Sequence, residues 1–258
     1  MEAAAVLGKR GFDVTLYEKE DKLGGEMNLA SATAPYKEKI AWLTTTLKGE
    51  MEEAGVHVLT GTAATPESIK DLAPTAVFLA AGGKPITPKL PGIDQDKVVL
   101  ASDIISGKKK VCGSILIVGA GLTGLETAEK LFRDNSADQI TVIDMVEKIG
   151  AGMYPSIFID VTHQMDGKPL KLVPSMKLKA ITETGILADD LAENKEVALS
   201  ADYVILAMGT TVDREMIQKY EAAFDRVICL GQTHKNPGRI ATSMAEAYIA
   251  ARGFDPVA

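Results

Sequence analysis

Ile115-Leu116-Ile117-Val118-Gly119-Ala120-Gly121-Leu122-Thr123-Gly124 is the stretch that decides the fold. Four consecutive aliphatic residues predict a buried strand. A glycine pattern GxGxxG follows at once, and a helix from about Thr123 to Arg133 comes after it. Ile140 to Ile143 predict the next strand, which Asp144 ends, 25 positions beyond Gly119. A GxGxxG alone is weak; between a strand and a helix, with an acid closing the second strand, it has the context of a dinucleotide fingerprint. Gly119 permits the tight turn, Gly121 lets backbone approach a pyrophosphate, and Gly124 lets helix and strand pack closely. Leu122 and Thr123 complete the motif, and the helix N-terminus favours phosphate charge. Asp144 would accept hydrogen bonds from an adenosine ribose and would repel a 2′-phosphate, so NADH is favoured over NADPH. The bland alternatives are glycines that serve packing alone and an Asp144 that is a solvated turn acid.

Working outward, the same pattern occurs a second time. Val14, Leu16 and Tyr17 predict a short strand ended by Glu18, as Asp144 ends its own strand. Ala76 to Ala80 predict a buried strand running into Ala81-Gly82-Gly83, and Tyr203 to Ala207 predict one running into Met208-Gly209. These repetitions indicate two nucleotide-binding units in one chain. The first unit lacks the fingerprint before Glu18, because the chain opens directly on a helix that ends at Gly11. A central strand and its glycine loop are therefore expected to be absent. Four or five buried aliphatic side chains at about 2 kcal/mol each come to roughly 10 kcal/mol. Whole-domain stability is only about 5–15 kcal/mol. The first unit is expected to be damaged or rearranged, and the chain to be a fragment or one read from an internal methionine.

Between these landmarks, helix is expected from Tyr36 to Ala54 and strand from Val56 to Leu59. A short helix from Pro66 to Leu72 would be capped by Thr65. Residues 83–114 read as loop-rich, with Lys108, Lys109 and Lys110 a solvated turn. From about Pro169 to Val204 a meander of short strands is expected, then a strand at Val227 to Leu230 and a closing helix from Ile240 to Ala251.

Composition narrows the function classes. The 258 residues are 46% hydrophobic and 24% charged, as in globular proteins. A net charge of −7 argues against nucleic-acid partners and against a polybasic membrane face. No apolar run is long enough to span a membrane. Cys112 and Cys229 form no CxxC and no metal-ligand spacing, and so few cysteines fit a cytoplasmic location. His57, His163 and His234 read as surface or satisfied histidines, and Trp42 as core.

The segments VTLYEKEDKLGGEMNLA, FLAAGGKPITPKLPGID, ILIVGAGLTGLETAEKL and YVILAMGTTVD resemble the C-terminal half of the NADH:flavin oxidoreductases. These are the multidomain relatives of old yellow enzyme, including 2,4-dienoyl-CoA reductase and trimethylamine dehydrogenase. The resemblance implies an α/β fold of two Rossmann-like, three-layer domains of the glutathione-reductase type, the first without its first strand. Residues 1–105 with 208–258 would be the FAD-binding domain, and residues 106–207 an inserted NAD(P)H-binding domain. The partner would be an N-terminal barrel carrying FMN and an iron–sulfur cluster, neither of which this chain encodes.

Residue by residue, the resemblance makes Glu18 the acid for the FAD ribose and Gly24 and Gly25 the loop beside the FAD phosphates. Ala63 or Ala64 would meet adenine through backbone. Ala81 and Gly82 would form the crossing loop against the dinucleotide, with Gly209 at the corresponding second strand end. Gly119, Gly121, Gly124 and Asp144 match the NADH site. Glu126 matches an acid near the nicotinamide in related reductases, and is equally well read as a helix N-terminal acid favoured by the dipole. Gly231-Gln232 stands where the family usually has Gly-Asp contacting the flavin, so an uncharged amide replaces a charge and lowers the expectation of FAD retention. No redox cysteine pair and no catalytic side chain are expected, because the cofactors carry hydride chemistry. A nucleotide-binding module without turnover, or a truncated fragment, is the competing reading.

Overall fold

In a computed structural model the described residues are 1–234 and 239–257. In chain order the elements begin α1 Glu2–Lys9, β1 Thr15–Tyr17, α2 Glu26–Ala32, α3 Lys39–Glu53, β2 His57–Leu59, α4 Pro66–Ile69, β3 Val77–Leu79 and β4 Lys84–Pro85. They continue with β5 Val98–Leu100, α5 Ala101–Ile105, β6 Ser114–Val118, α6 Leu122–Arg133, β7 Gln139–Ile143, α7 Pro155–His163 and β8 Leu170–Val173. The rest are β9 Met176–Thr182, β10 Gly185–Asp190, β11 Lys195–Ser200, β12 Tyr203–Leu206, β13 Thr210–Thr211, α8 Arg214–Ala223, β14 Val227–Cys229 and α9 Ile240–Gly253. They fall into two compact units. One comprises Met1–Ser31, Tyr36–Lys84 and Thr210–Ala258; the other comprises Ala32–Pro35 and Pro85–Gly209.

The second unit is built on a five-stranded parallel sheet in the order β5-β12-β6-β7-β8. Central strand β6 is apolar from Ile115 to Val118 because both of its faces are covered there. Ile115 and Ile117 pack with Ala128, Leu131 and Phe132 of α6 on one face. Leu116 and Val118 face the other way, onto Leu178, Ile181, Ile186 and Ala188. Those residues belong to the antiparallel meander β11-β10-β9. Helix, parallel sheet and meander thus make three layers, and the α/β fold expected from the sequence is present.

Several expectations need correction here. Residues 85–105, expected with the flanking part, pack in the second unit, since β5 pairs with β12. The loop-rich reading of 83–114 overlooked β5 and α5, each too short to show a period. The meander expected from about Pro169 starts only after Pro174-Ser175. β8 joins the parallel sheet on β7 while β9 opens the meander. Helices α2, α7 and α8 were not anticipated. Trp42, expected in the core, is 62% exposed on α3, with the Lys39 ammonium 5.9 Å from its ring.

The first unit keeps its elements in recognisable places but not a continuous sheet. Among the described residues β1 pairs in parallel only with β2, and β3 only with β14. α1 forms as expected, with Ala3, Ala4, Ala5 and Leu7 buried. It packs on both ladders: Ala3 and Leu7 lie with Phe78 and Ile228, and Ala4 and Ala5 with Leu16 and Val58. The expected Thr65 cap is present: its hydroxyl accepts from the Ser68 N–H at 3.2 Å, and Ser68 returns the bond to the Thr65 N–H at 2.9 Å.

Candidate nucleotide-binding sites

In the second unit the glycine loop lies at the carboxyl end of β6. Gly119 has φ of +108°, the left-handed region that a side chain disfavours. A Cβ there would also lie 2.4 Å from the Ala207 carbonyl oxygen. A Cβ on Gly124 would lie 1.9 Å from the Gly119 carbonyl oxygen, so α6 can close on the loop only with glycine there. Gly121 differs from both: a Cβ would meet no protein atom within 4 Å. It is the exposed N-cap of α6, and Leu122 and Thr123 beside it are exposed too. Gly119 and Gly124 therefore serve the protein's own packing, while Gly121 leaves space facing solvent at a helix N-terminus. That is the arrangement a phosphate requires.

Asp144 closes β7 and reaches back to this loop. One carboxylate oxygen accepts the Ala120 N–H at 2.7 Å and the other the Val146 N–H at 3.3 Å. The acid therefore holds the loop's shape whether or not a ribose is present. Glu126 is buried, 6% exposed, on the second turn of α6. Gly209 has an unobstructed left-handed conformation, and its carbonyl accepts the Ile86 N–H at 3.0 Å.

In the first unit the corresponding residues also gather at strand ends. Glu18 follows β1; its N–H donates to Leu59 and its carboxylate accepts the Glu20 N–H at 2.9 Å. The Thr62 N–H donates to the Glu18 carbonyl, which brings Ala63 alongside. The Ala64 carbonyl accepts from the Tyr220 hydroxyl at 2.8 Å. Burial pushes the Tyr220 hydroxyl pKa up, so it stays a donor. Gly24 is enclosed by Asn28 and Thr44, whereas Gly25 is open.

At the ends of β3 and β14, Gly82 and Gln232 meet. The Thr233 hydroxyl donates to the Gly82 carbonyl at 3.3 Å, and Gln232 Oε1 lies 4.0 Å from where a Gly82 Cβ would stand. That Gln232 oxygen is buried and has no hydrogen-bond partner, an expensive arrangement for an amide. Ala81 is exposed beside it. Glu246 of α9 accepts the Gly231 N–H at 2.7 Å and also contacts His234 Nδ1.

These features fit the expected cofactors in specific ways. Open space at Gly121 suits a pyrophosphate, and an orphaned acceptor beside Gly82 suits a ligand hydroxyl. Sequence reasoning overlooked Tyr220, Thr233 and Glu246, which shape the site through contacts between residues far apart in the chain. Only Tyr220 carried a signal, on the apolar stripe of α8 with Met216 and Ile217. Both cysteines are free thiols, and burial, with Glu221 nearby, raises the Cys229 pKa, which disfavours a reactive thiolate. Among the described residues no group of three or more His, Cys, Asp or Glu could hold a metal ion, and no helix is long and apolar enough to cross a membrane.

Two parallel-sheet units with glycines, acids and small residues at their strand ends define a two-dinucleotide protein. Residues 1–228 match the pyridine nucleotide-disulphide oxidoreductase family, and the chain belongs to it. It is 32% identical over 253 residues to an NADH oxidase of Thermoanaerobacter brockii, covering 96% of this chain and 38% of that protein. A bilirubin reductase of Mediterraneibacter gnavus is 31% identical over 251 residues, covering 97% and 38%. Among solved structures, 2-naphthoyl-CoA reductase in complex with 2-naphthoyl-CoA superposes with a TM-score of 0.88 at 26% identity, covering 98% of this chain and 38% of that one. The chain thus spans well under half the length of these relatives.

Proposed function

We propose that this chain is the dinucleotide-binding part of an NADH:flavin oxidoreductase of the old yellow enzyme-like, multidomain kind. Bound NADH would supply a hydride and bound FAD would accept it, with onward transfer to an FMN and iron–sulfur barrel. The observation that carries the reading is the contrast within the second glycine loop. Gly119 and Gly124 are closed by protein, whereas Gly121 is open at the N-terminus of α6.

In this reading Gly121, Leu122 and Thr123 present backbone N–H groups to the NADH pyrophosphate. Asp144 orients the ribose diol while keeping its bond to Ala120. Its charge disfavours the 2′-phosphate of NADPH. Glu126 lines the nicotinamide end. Glu18 serves the FAD ribose, Gly24 and Gly25 its phosphates, and Ala63 its adenine, with Tyr220 fixing the backbone there. Ala81, Gly82, Gly231 and Gln232 complete that cradle, and the orphaned Gln232 oxygen accepts a flavin side-chain hydroxyl, while Gly209 serves the nucleotide site of the second unit at the end of β12. No side chain is assigned to proton transfer, since hydride transfer depends on positioning.

A second reading, nucleotide binding without turnover, is favoured by Gln232 in place of an acid. The visible spectrum of the purified chain supplied with FAD, before and after anaerobic NADH, separates the two. Flavin absorbance that stays with the protein and bleaches supports the oxidoreductase reading. FAD that washes away, with NADH still bound, supports the second; loss of both overturns the nucleotide assignment.

A further inference from the structure

The short turn that follows β14 is fixed at both ends by one side chain. Gly231–Thr233 form a single turn of 3-10 helix. The Thr233 N–H donates to the Leu230 carbonyl and the His234 N–H to the Gly231 carbonyl. Glu246 reaches this turn from the second turn of α9. One of its carboxylate oxygens accepts the Gly231 N–H at 2.7 Å, where the turn begins. The other meets His234 Nδ1, where the turn ends. Gly231 has φ of +58°, and a Cβ there would stand 3.1 Å from Ser243 Oγ of the same helix. The turn therefore lies close against α9.

The middle of the turn is held from another side. Thr233, 1% exposed, donates its hydroxyl to the Gly82 carbonyl at 3.3 Å. Gln232 sits between these fixed points, and its buried Oε1 has no hydrogen-bond partner in the protein. Buried oxygens are nearly always paired, because losing water without compensation is costly. Three contacts thus fix the backbone around one unsatisfied acceptor. A clamp that serves folding alone has no use for such an oxygen at its centre. A clamp that prepares an acceptor for a ligand requires one.

We infer that Glu246 and His234 are positioning residues for the cofactor of the first unit. They hold the Gly231–His234 turn so that Gln232 keeps Oε1 ready for a hydroxyl donor beside Gly82. The inference rests on the FAD reading above, and the donor is a neutral polyol hydroxyl of the flavin side chain. Glu246 acts through Gln232. Fixing the acceptor before the ligand arrives removes an ordering cost from binding. Loss of Glu246 frees both ends of the turn, and loss of His234 frees one. A glutamine at position 246 can keep both contacts without the charge. Its amide oxygen accepts the Gly231 N–H, and its NH2 donates to Nδ1 of a neutral His234.

The test is the FAD affinity of the whole chain, read by quenching of flavin fluorescence. Gln232→Leu, which removes the acceptor, should weaken binding about tenfold. Glu246→Ala should weaken it by a similar factor, and His234→Ala by about threefold. Glu246→Gln should stay within about twofold of the wild type. The double variant separates positioning from a structural role. Once Gln232 is leucine, Glu246→Ala should cost less than about a further twofold. Should Glu246→Ala fail to fold, the same cycle is run with His234→Ala. Weakening by the same factor in both backgrounds would overturn the proposal, as would wild-type affinity in the Glu246→Ala and His234→Ala variants. A wild-type chain that binds no FAD would overturn the cofactor reading and this proposal together, whereas variants that match a binding wild type overturn the proposal alone.

Discussion

Gly121 and Gly124 are three residues apart in one motif, yet their substitutions should fail differently. A side chain on Gly121 meets no protein atom, so Gly121→Val should leave the fold and melting temperature nearly unchanged while abolishing NADH binding. Normal NADH affinity in that variant, measured by calorimetry, would refute the close-approach argument. Gly124→Ala puts a methyl group 1.9 Å from the Gly119 carbonyl oxygen. It should lower stability by about 1–3 kcal/mol or more, as overpacking does, read by urea unfolding. Asp144→Ala should weaken NADH and narrow the preference over NADPH. Because the carboxylate also holds the Ala120 N–H, the variant should lose about 1–3 kcal/mol of stability even without nucleotide. Unchanged relative affinities for the two nucleotides would sink the ribose assignment. These three residues were legible in the sequence. The Ala120 bond was not, because the backbone geometry that permits it exists only once β6 and β7 are paired.

Among the elements, legibility followed the strength of local signals. β6, α6 and β7 could be read because an aliphatic run, a glycine motif and an acid occur in fixed order. The cap of α4 could be read from Thr65 followed by Pro66. Thr65→Ala should cost about 1 kcal/mol, and an unchanged melting curve would show that the cap does no work in this setting. α8 went unread although Asp213 caps it, accepting the Met216 N–H at 3.2 Å. Its apolar residues Met216, Ile217 and Tyr220 are too few to stand out from the surrounding charge. Trp42 misled for the opposite reason: an aromatic residue on an amphipathic pattern suggests core, but α3 buries Leu47 and Met51 instead. The division between β8 and β9 escaped because both halves alternate in the same way, and only pairing partners distinguish them.

For the whole molecule, the two units should differ in stability. The second has a continuous five-stranded sheet with cores on both faces, whereas among the described residues of the first β1-β2 and β14-β3 are separate two-stranded ladders with apolar side chains packed over them. Hydrogen exchange should find the slowest amides in β6, β7 and β12. Within the short ladders, Thr15, Tyr17 and Phe78 should exchange fastest, since their N–H groups face open edges. Protection of those three amides equal to that of β6 would show that the edges are closed in solution. The residues themselves determined the α/β class, the repeated acid-ended strands, the second glycine loop and the membership these imply, because each rests on local spacing that survives without neighbours. Tertiary structure decided the rest. It showed which glycine faces solvent, that Asp144 grips its own loop, that Gln232 presents an unsatisfied oxygen beside Gly82, and that one sheet is divided while the other is whole. Those properties depend on which strands pair and what packs across them, and pairing between distant segments leaves no local mark in the sequence.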